Sequence, residues 1–405
     1  MEKMVYGFTR DTGRIKTVSC LRNIMSPNPE ITTYIKSLYP HRSPVLLHCP
    51  EFMGNEKKYL AECIDTKYVS YVGRFVADME NKIKAITGAK HAVALVNGTA
   101  ALHMLLLAAG ITNGDEVITQ TLSFAATAAA IMHAGATPVF VDVERETLGM
   151  SPDSLRSFLA EHATLKSGAC VNRVSGKPIK AVIPMHTFGH PVRIDAIQKI
   201  CDDYSLLLIE DAAESLGSRY RGTHTGTFGK AAILSFNGNK LVTTGGGGMV
   251  ITDDEAIANR VRYISTTAKR PHRWEFYHDE VGYNLRMPSV NAAIGLAQLE
   301  YLNTILSNKR KTSWLYNQFF HTLGIKYITE PENAKSNYWL NAIIFNNRKE
   351  RDEFLEYSNA NGVQTRPAWN LLHTLPPYQY CQCTPTPNAE YFADCLVNIP
   401  SSVRT

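Results

Sequence analysis

What the 405-residue chain lacks narrows it first. Its most apolar stretch, residues 100–111, is interrupted by His103 and is too short to span a bilayer. The opening residues carry Glu2, Lys3, Arg10, Asp11 and Arg14 around no apolar core, so they do not read as a secretory signal. No run of five or more Lys or Arg occurs, and a formal net charge of +5 is small for this length. Neither nucleic acid nor a membrane surface is therefore expected as a partner. The cysteines, at 20, 49, 63, 170, 201, 381, 383 and 395, form no CxxC pair. In a chain this long they read as reduced thiols of a cytoplasmic protein, not as a disulfide framework. His186 and His190 have a spacing that could ligate metal, but no acidic or cysteine partner stands beside them, and no metal is expected. Repeats and low-complexity tracts are also missing.

What is present is an ordinary globular composition, 44% hydrophobic and 20% charged, in a pattern that alternates strand and helix. Short β-rich runs are expected at 92–96, 116–120, 137–143, 180–186, 206–210, 231–236 and 248–252. Helical spacing falls at 98–110, 124–134, 152–161, 192–204 and, as an exposed helix, 254–265. Crossovers of this length imply an α/β fold with a mostly parallel sheet, whose ligands lie beyond the carboxyl ends of the strands. Upstream, 56–86 is helical with a break at Val72-Gly73. Residues 286–302 read as one long helix whose Ala/Gly-rich stretch, 292–297, allows close packing. The chain divides into an N-terminal extension or loosely docked arm (1–44), a large domain (45–302) and a smaller C-terminal domain (303–405) of short β and α pieces.

Two residues in this frame carry most of the chemical information. Asp211 ends the apolar run Leu206–Asp211 and so delivers a carboxylate at a strand tip. Lys240, 29 residues on, ends Ser235–Lys240 and is followed by the glycine run Gly245–Gly248. A carboxylate can hold a pyridine nitrogen protonated, and a lysine amine can carry an aldehyde as a Schiff base. Together they suit pyridoxal 5'-phosphate, with glycines that let backbone approach a flat cofactor. Asn97-Gly-Thr-Ala100 follows a strand and opens a helix, whose free N–H groups and Thr99 hydroxyl suit a phosphate dianion. Ser235 supplies a second hydroxyl. Phe124, after the next strand, is a flat face that could stack on the ring, and Ala213 is small enough to press on its other side.

From about 45 to 375 the chain resembles the DegT-type nucleotide-sugar aminotransferases, within the aspartate-aminotransferase-like fold (fold type I). The resemblance is carried by Asn97-Gly-Thr-Ala-Ala-Leu102, Gly114-Asp-Glu-Val117, Glu210-Asp-Ala-Ala-Glu-Ser-Leu-Gly217, Ser235–Lys240 with its glycines, Gly282-Tyr-Asn-Leu-Arg-Met287, Ala292–Leu299 and Thr365-Arg-Pro-Ala-Trp369. It implies Lys240 as the Schiff-base lysine and proton shuttle, and Asp211 as partner of the pyridine nitrogen. It also implies Thr99, Ala100 and Ser235 on the phosphate, Phe124 as the stacking ring, and Asn284 reaching the neighbouring subunit's phosphate in a homodimer with composite sites. The partners implied are a nucleotide sugar and L-glutamate, with pyridoxamine phosphate as the intermediate cofactor form. Residues 46–56, 62–66 and 69–76 resemble the subgroup that aminates C4 of UDP-2-acetamido-2,6-dideoxy-4-keto-hexoses for bacillosamine- or legionaminic-acid-type glycans.

The chain departs from the pattern at Glu214, where the wider family often has Gln or His; it is expected near the cofactor with its role open. The first 25 or so residues lie beyond the family's usual start, and relatives commonly continue with another helix beyond 405. His186, Arg366, Trp369 and His373 are candidates for seating the nucleotide sugar, with ordinary packing the alternative. Other readings are an aminotransferase for a GDP- or dTDP-linked sugar or for C3, a sugar 3-dehydratase, and a non-catalytic binding protein on the same scaffold. The dehydratases have His where Lys240 stands. A dinucleotide site at Gly245–Gly248 lacks the GxGxxG spacing and precedes a strand.

Overall fold

The computed structural model describes residues 28–166 and 168–404; the expected extension over the first 25 or so residues lies outside them. The strand predictions hold closely. A seven-stranded sheet is built from β1 (His91–Leu95), β2 (Glu116–Gln120), β3 (Thr137–Val141), β4 (Ile179–Ile183), β5 (Leu207–Asp211), β6 (Ala231–Ser235) and β7 (Gly248–Thr252). Its order is β1-β7-β6-β5-β4-β2-β3. Only β7 runs against its neighbours β1 and β6; the other contacts are parallel. Strands buried on both faces need apolar residues throughout, and β2, β6 and β7 are buried almost end to end.

Helices cover the sheet as the spacing requires. Helix α1 (Asn28–Leu38) precedes the large unit, and α2 (Glu56–Asp65) and α3 (Arg74–Thr87) flank the break at Val72-Gly73. Then come α4 (Gly98–Ala108), α5 (Ala125–His133), α6 (Pro152–His162), α7 (Ile194–Asp203), α8 (Glu255–Ile264) and α9 (Ser289–Glu300). The small residues of α9 do allow close approach: a Cβ on Gly295 would sit 2.6 Å from both Met79 Cε on α3 and Thr244 Cγ2. Among the described residues no helix is long and apolar enough to cross a membrane.

Four expectations need correction. The arm over 1–44 is not loose where it is described: α1 buries Ile31 and Ile35 against Tyr316, Phe320 and Phe354 of the small unit. The helix at 254–265 is not simply exposed, since Ile257, Ala258, Val261 and Ile264 of α8 are buried. The long helix at 286–302 is shorter and is followed at once by α10 (Leu302–Leu323), a 22-residue helix where short pieces were expected. Tyr301, at φ −101 and ψ 7, breaks the two apart. The polar run from Asn303 to Lys311 concealed a helix whose buried stripe is only partly apolar and includes Lys309. Two short strands, Ala163–Lys166 and Ala169–Asn172, also pair as a hairpin that the pattern did not announce.

The small unit adds a four-stranded sheet from β8 (Lys326–Tyr327), β9 (Asn341–Ile344), β10 (Arg366–Pro367) and β11 (Leu396–Ile399), in the order β8-β9-β11-β10. Helices α11 (Arg348–Ala360) and α12 (Pro387–Cys395) complete it. The last strand, β11, is paired on both sides, antiparallel to β9 and to β10. Because α1 joins that core from the far end of the sequence, Ile35→Ala should cost about 2–5 kcal/mol, the usual range for emptying a buried aliphatic site. A lower urea midpoint would register the loss; an unchanged midpoint would mean that α1 is not docked.

Candidate active site

The C-terminal tips of β1, β2, β4, β5 and β6 converge on one cavity of about 300 Å³. Asn97, Gly98 and Thr99 line it at the start of α4, Phe124 and Thr127 at the start of α5, and Met185 after β4. Asp211, Ala213 and Glu214 follow β5, and Ser235, Asn237, Asn239 and Lys240 follow β6. Trp339 and Trp369 come from the small unit.

The anion end is built around α4. Asn97 caps the helix, its Oδ1 accepting the Ala100 N–H at 2.8 Å, and Gly98 and Thr99, in the first turn where N–H groups lack helical partners, line the cavity. The cap therefore occupies the Ala100 N–H, and Ala100 does not line the cavity. Gly98 leaves room here, since a Cβ there would lie 3.2 Å from the Cβ of Ser235, a tight contact. Hydroxyls of Thr99 and Ser235 thus stand on either side of a helix N-terminus.

Asp211 is 4% exposed, a costly place for a carboxylate without donors. Thr127 Oγ1 donates to its Oδ2 at 2.7 Å, and the Ala213 N–H donates to its Oδ1 at 3.2 Å. Thr127 also bonds Ser123 Oγ at 3.0 Å. Phe124, 55% exposed at the rim, packs edge-on to Trp369 with ring centroids 6.4 Å apart, and Trp369 lies 5.0 Å from Phe188. Lys240 Nζ donates to Glu214 Oε1 at 3.0 Å and lies 3.8 Å from the centre of the Trp339 ring.

The substrate candidates separate. Trp369 lines the cavity; Arg366 borders an adjoining outer hollow and donates to Asn359 Oδ1 and the Thr365 carbonyl. His373 is turned to Thr121 Oγ1 at 2.7 Å, and burial lowers its pKa. His186 is fully buried: its Nδ1 accepts the Val192 N–H and its Nε2 meets Glu210 at 3.0 Å, so both nitrogens are spent away from the cavity. Alternation along the strand exit explains the difference, for Met185 faces the cavity and its neighbour faces away. His190 is buried against Ser336. Asn284 is exposed and does not line this cavity.

Sequence reasoning missed Thr127, Asn237, Asn239, Met185 and Trp339. Thr127 stands one turn beyond Phe124 and could have been found by helical spacing. Asn237 and Asn239 belong to a stretch already singled out. Trp339 comes from a distant segment and has no local signal.

Such a set, with lysine, buried aspartate, helix-bound anion site and aromatic rim in one cavity, fits pyridoxal phosphate: Gly98 clears a cradle, and Thr127 holds the carboxylate in place. The class it defines is a pyridoxal-phosphate-dependent aminotransferase. The chain belongs to the DegT/DnrJ/EryC1/StrS aminotransferase family, whose sequence profile matches residues 50–405. It is 36% identical over 352 residues to a GDP-perosamine synthase of Escherichia coli O157:H7, covering 87% of this chain and 92% of that one. Another GDP-perosamine synthase, from Caulobacter vibrioides, is 34% identical with 87% and 91% covered. Among solved structures, a DegT DnrJ EryC1 StrS aminotransferase from Brucella abortus superposes with a TM-score of 0.77 at 27% identity, covering 86% and 90%. DesI, solved with its TDP-sugar product, superposes at 0.75 with 26% identity, covering 90% and 91%.

Two outcomes follow from the geometry. Thr127→Val removes one hydrogen bond to a charged buried group, worth roughly 1.5–3 kcal/mol, and should weaken pyridoxal phosphate binding about tenfold or more in a fluorescence titration. Burial pushes Glu214 up to about 7 from 4.5, against the pull of Lys240 and the Phe188 N–H and with a push from Asp211. An acid raised on folding stabilises the fold below its unfolded value and loses that contribution as pH rises through the folded one. The cofactor-free protein should therefore lose thermal stability between about 4.5 and about 7, and Glu214→Gln should flatten that slope. Parallel melting curves of the two proteins across this window would contradict it.

Proposed function

We propose that this protein moves an amino group from L-glutamate to the keto carbon of a nucleotide-linked 4-keto-6-deoxy sugar, giving a 4-amino-4,6-dideoxy sugar. The observation that carries the reading is that Lys240 and Asp211 open onto one cavity at the carboxyl edge of the sheet, in a chain of the aminotransferase family. When bound, pyridoxal phosphate supplies the aldehyde that Lys240 engages and a ring that accepts the electron pair left on the donor's α-carbon. The N–H groups of Gly98 and Thr99 and the hydroxyls of Thr99 and Ser235 would hold the phosphate. Asp211, fixed by Thr127 and Ala213, keeps a proton on the ring nitrogen. Lys240 Nζ would take the proton from the donor's α-carbon and give it to the carbon on the other side of the transferred nitrogen, the former aldehyde carbon of the cofactor. In the second half-reaction the same amine works in the reverse sense on the keto sugar. Phe124 and Trp369 shield the reacting carbon from water.

For the nucleotide, two relatives named GDP-perosamine synthase favour a GDP-linked sugar. The stretches at 46–56, 62–66 and 69–76 favour the UDP-linked N-acetyl sugar of the bacillosamine or legionaminic acid type. Exposed Asn284, with the exposed side chains of Trp274, Phe276, Tyr277 and Val281 on the preceding segment, supports a homodimer in which Asn284 serves the other subunit.

Lys240→Ala should abolish turnover and the visible absorption of the lysine-bound cofactor while leaving the fold intact; transamination at wild-type rate in that variant would rule the reading out. With wild-type protein, L-glutamate should bleach that absorption, and a keto sugar nucleotide should restore it. The ratio of kcat/KM for GDP-, UDP- and dTDP-linked 4-keto-6-deoxy sugars then assigns the substrate. No turnover with any of the three would remove the sugar assignment while leaving the first half-reaction in place.

A further inference from the structure

One contact at the cavity is not used by the chemistry above. The Glu214 side chain is 1% exposed and that of Lys240 13%, and they meet at 3.0 Å. The second oxygen of Glu214 accepts the Phe188 N–H at 2.9 Å. Phe188 holds φ 57 and ψ 14, a left-handed conformation that a bulky side chain avoids unless its surroundings impose it. The next residue, Gly189, has φ +94, and a Cβ there would fall 1.8 Å from Asn337 Oδ1. Asn337 in turn donates to the Glu214 carbonyl at 2.8 Å and to the Leu216 carbonyl at 3.0 Å. Carboxyl and backbone of Glu214 are thus both fixed, by a strained turn and by the small unit, with one oxygen left for Lys240.

We propose that Glu214 is the base that takes a proton from Lys240, so that the lysine meets the incoming aldehyde as a neutral amine. This inference rests on Lys240 being the cofactor-bearing lysine. One N–H bond at Nζ breaks and one O–H bond forms at Oε1. The electron pair of the broken bond remains on Nζ as its lone pair, and the two opposite charges disappear together. No further reactant is required.

The surroundings favour this exchange over a permanent ion pair. Two charges enclosed together lose most of their hydration, which narrows the gap between the charged and the neutral pair. Asp211 faces Glu214 from the end of β5 and, as a like charge, favours its protonated form. Burial places the Glu214 carboxyl at about 7, close to neutral pH and far above an ordinary glutamate. On the other side, Lys240 is faced by the Trp339 ring at 3.8 Å and by His48. Burial and the nearby Lys309 and Lys240 hold His48 neutral, so it adds no competing positive charge. The Trp339 face attracts the ammonium form and keeps Nζ within reach of Glu214 when the proton returns.

The test follows capture of added pyridoxal phosphate by the cofactor-free protein, as growth of visible absorption across a range of pH. Borohydride reduction and peptide mapping locate the adduct. Wild-type capture should accelerate as pH rises through about 7, where Glu214 becomes a carboxylate able to accept the proton. In Glu214→Gln, which keeps the length and an oxygen for the Phe188 N–H, that rise should move to the ordinary lysine range. Its rate at neutral pH should fall about a hundredfold, a usual contribution of a positioned base. Glu214→Asp keeps a carboxyl one methylene short and should retain the neutral-range rise at a reduced rate. An unaltered profile in Glu214→Gln, with the adduct still on Lys240, overturns the proposal and leaves the proposed function standing. So does loss of the neutral-range rise in Glu214→Asp. Absence of any Lys240 adduct in the wild-type protein overturns both.

Discussion

Two adjacent carboxylates at the end of β5 set the constraint on which the site depends. Side chains alternate along a strand, so Glu210 and Asp211 must face opposite ways, and each must find donors in a region closed to water. Glu210 is fully buried and accepts the N–H groups of Gly226, Phe228 and Gly229 at 2.7, 2.8 and 2.8 Å, with His186 at 3.0 Å. Burial alone would raise its carboxyl, but His186 and these N–H groups outweigh it and the net shift is downward. Glu210 thereby clamps the loop before β6 and the exit of β4 to the tip of β5. Only with that tip fixed does Asp211 project into the cavity at one position, where Thr127 from α5 can meet it at 2.7 Å. The sheet order then places the N-terminal end of α4 and the lysine-bearing loop after β6 around the same opening.

This architecture explains which parts of the site could be read from the chain. Residues at strand tips sit in short local patterns, an apolar run and then a polar residue, and the parallel sheet brings all such tips to one edge. Asp211, Phe124, Ser235 and Lys240 were legible for that reason, and all four line the cavity. Parity misled at His186: a strand exit offers two faces, and nothing local says whether Met185 or His186 points inward. Ala100 on the phosphate came from the family resemblance alone, and in the structure its N–H donates to the Asn97 cap. The N–H of Phe188 could not be read at all, since a backbone donor carries no side-chain signature.

The small unit shows the same limit at larger scale. Its core is assembled from α1, α10, α11 and strands drawn from the last 80 residues, so no contiguous window contains it. Helix α10 buries Lys309, whose Nζ donates to the Trp339 and Ser401 carbonyls; burial lowers its pKa strongly. A hydropathy pattern assigns such a lysine to solvent. Its consequence is local order: the Trp339 carbonyl is held from one side, while its indole N–H donates to the Asn239 carbonyl at 2.7 Å. The ring is therefore clamped between α10 and the residue before Lys240.

That clamp ties the small unit to the wall of the cavity. Asn337 joins the loop carrying Glu214, and Trp339 joins the loop carrying Lys240, only two residues apart in the same segment. A shift of this segment relative to the sheet would change the Lys240–Trp339 contact and the seat of Glu214 together. The Lys240–Trp339 contact and the seat of Glu214 are both tied to this one segment by short, directional contacts. Trp369, 5.0 Å from Phe188, adds a third link, from the rim of the cavity to the turn whose N–H holds Glu214.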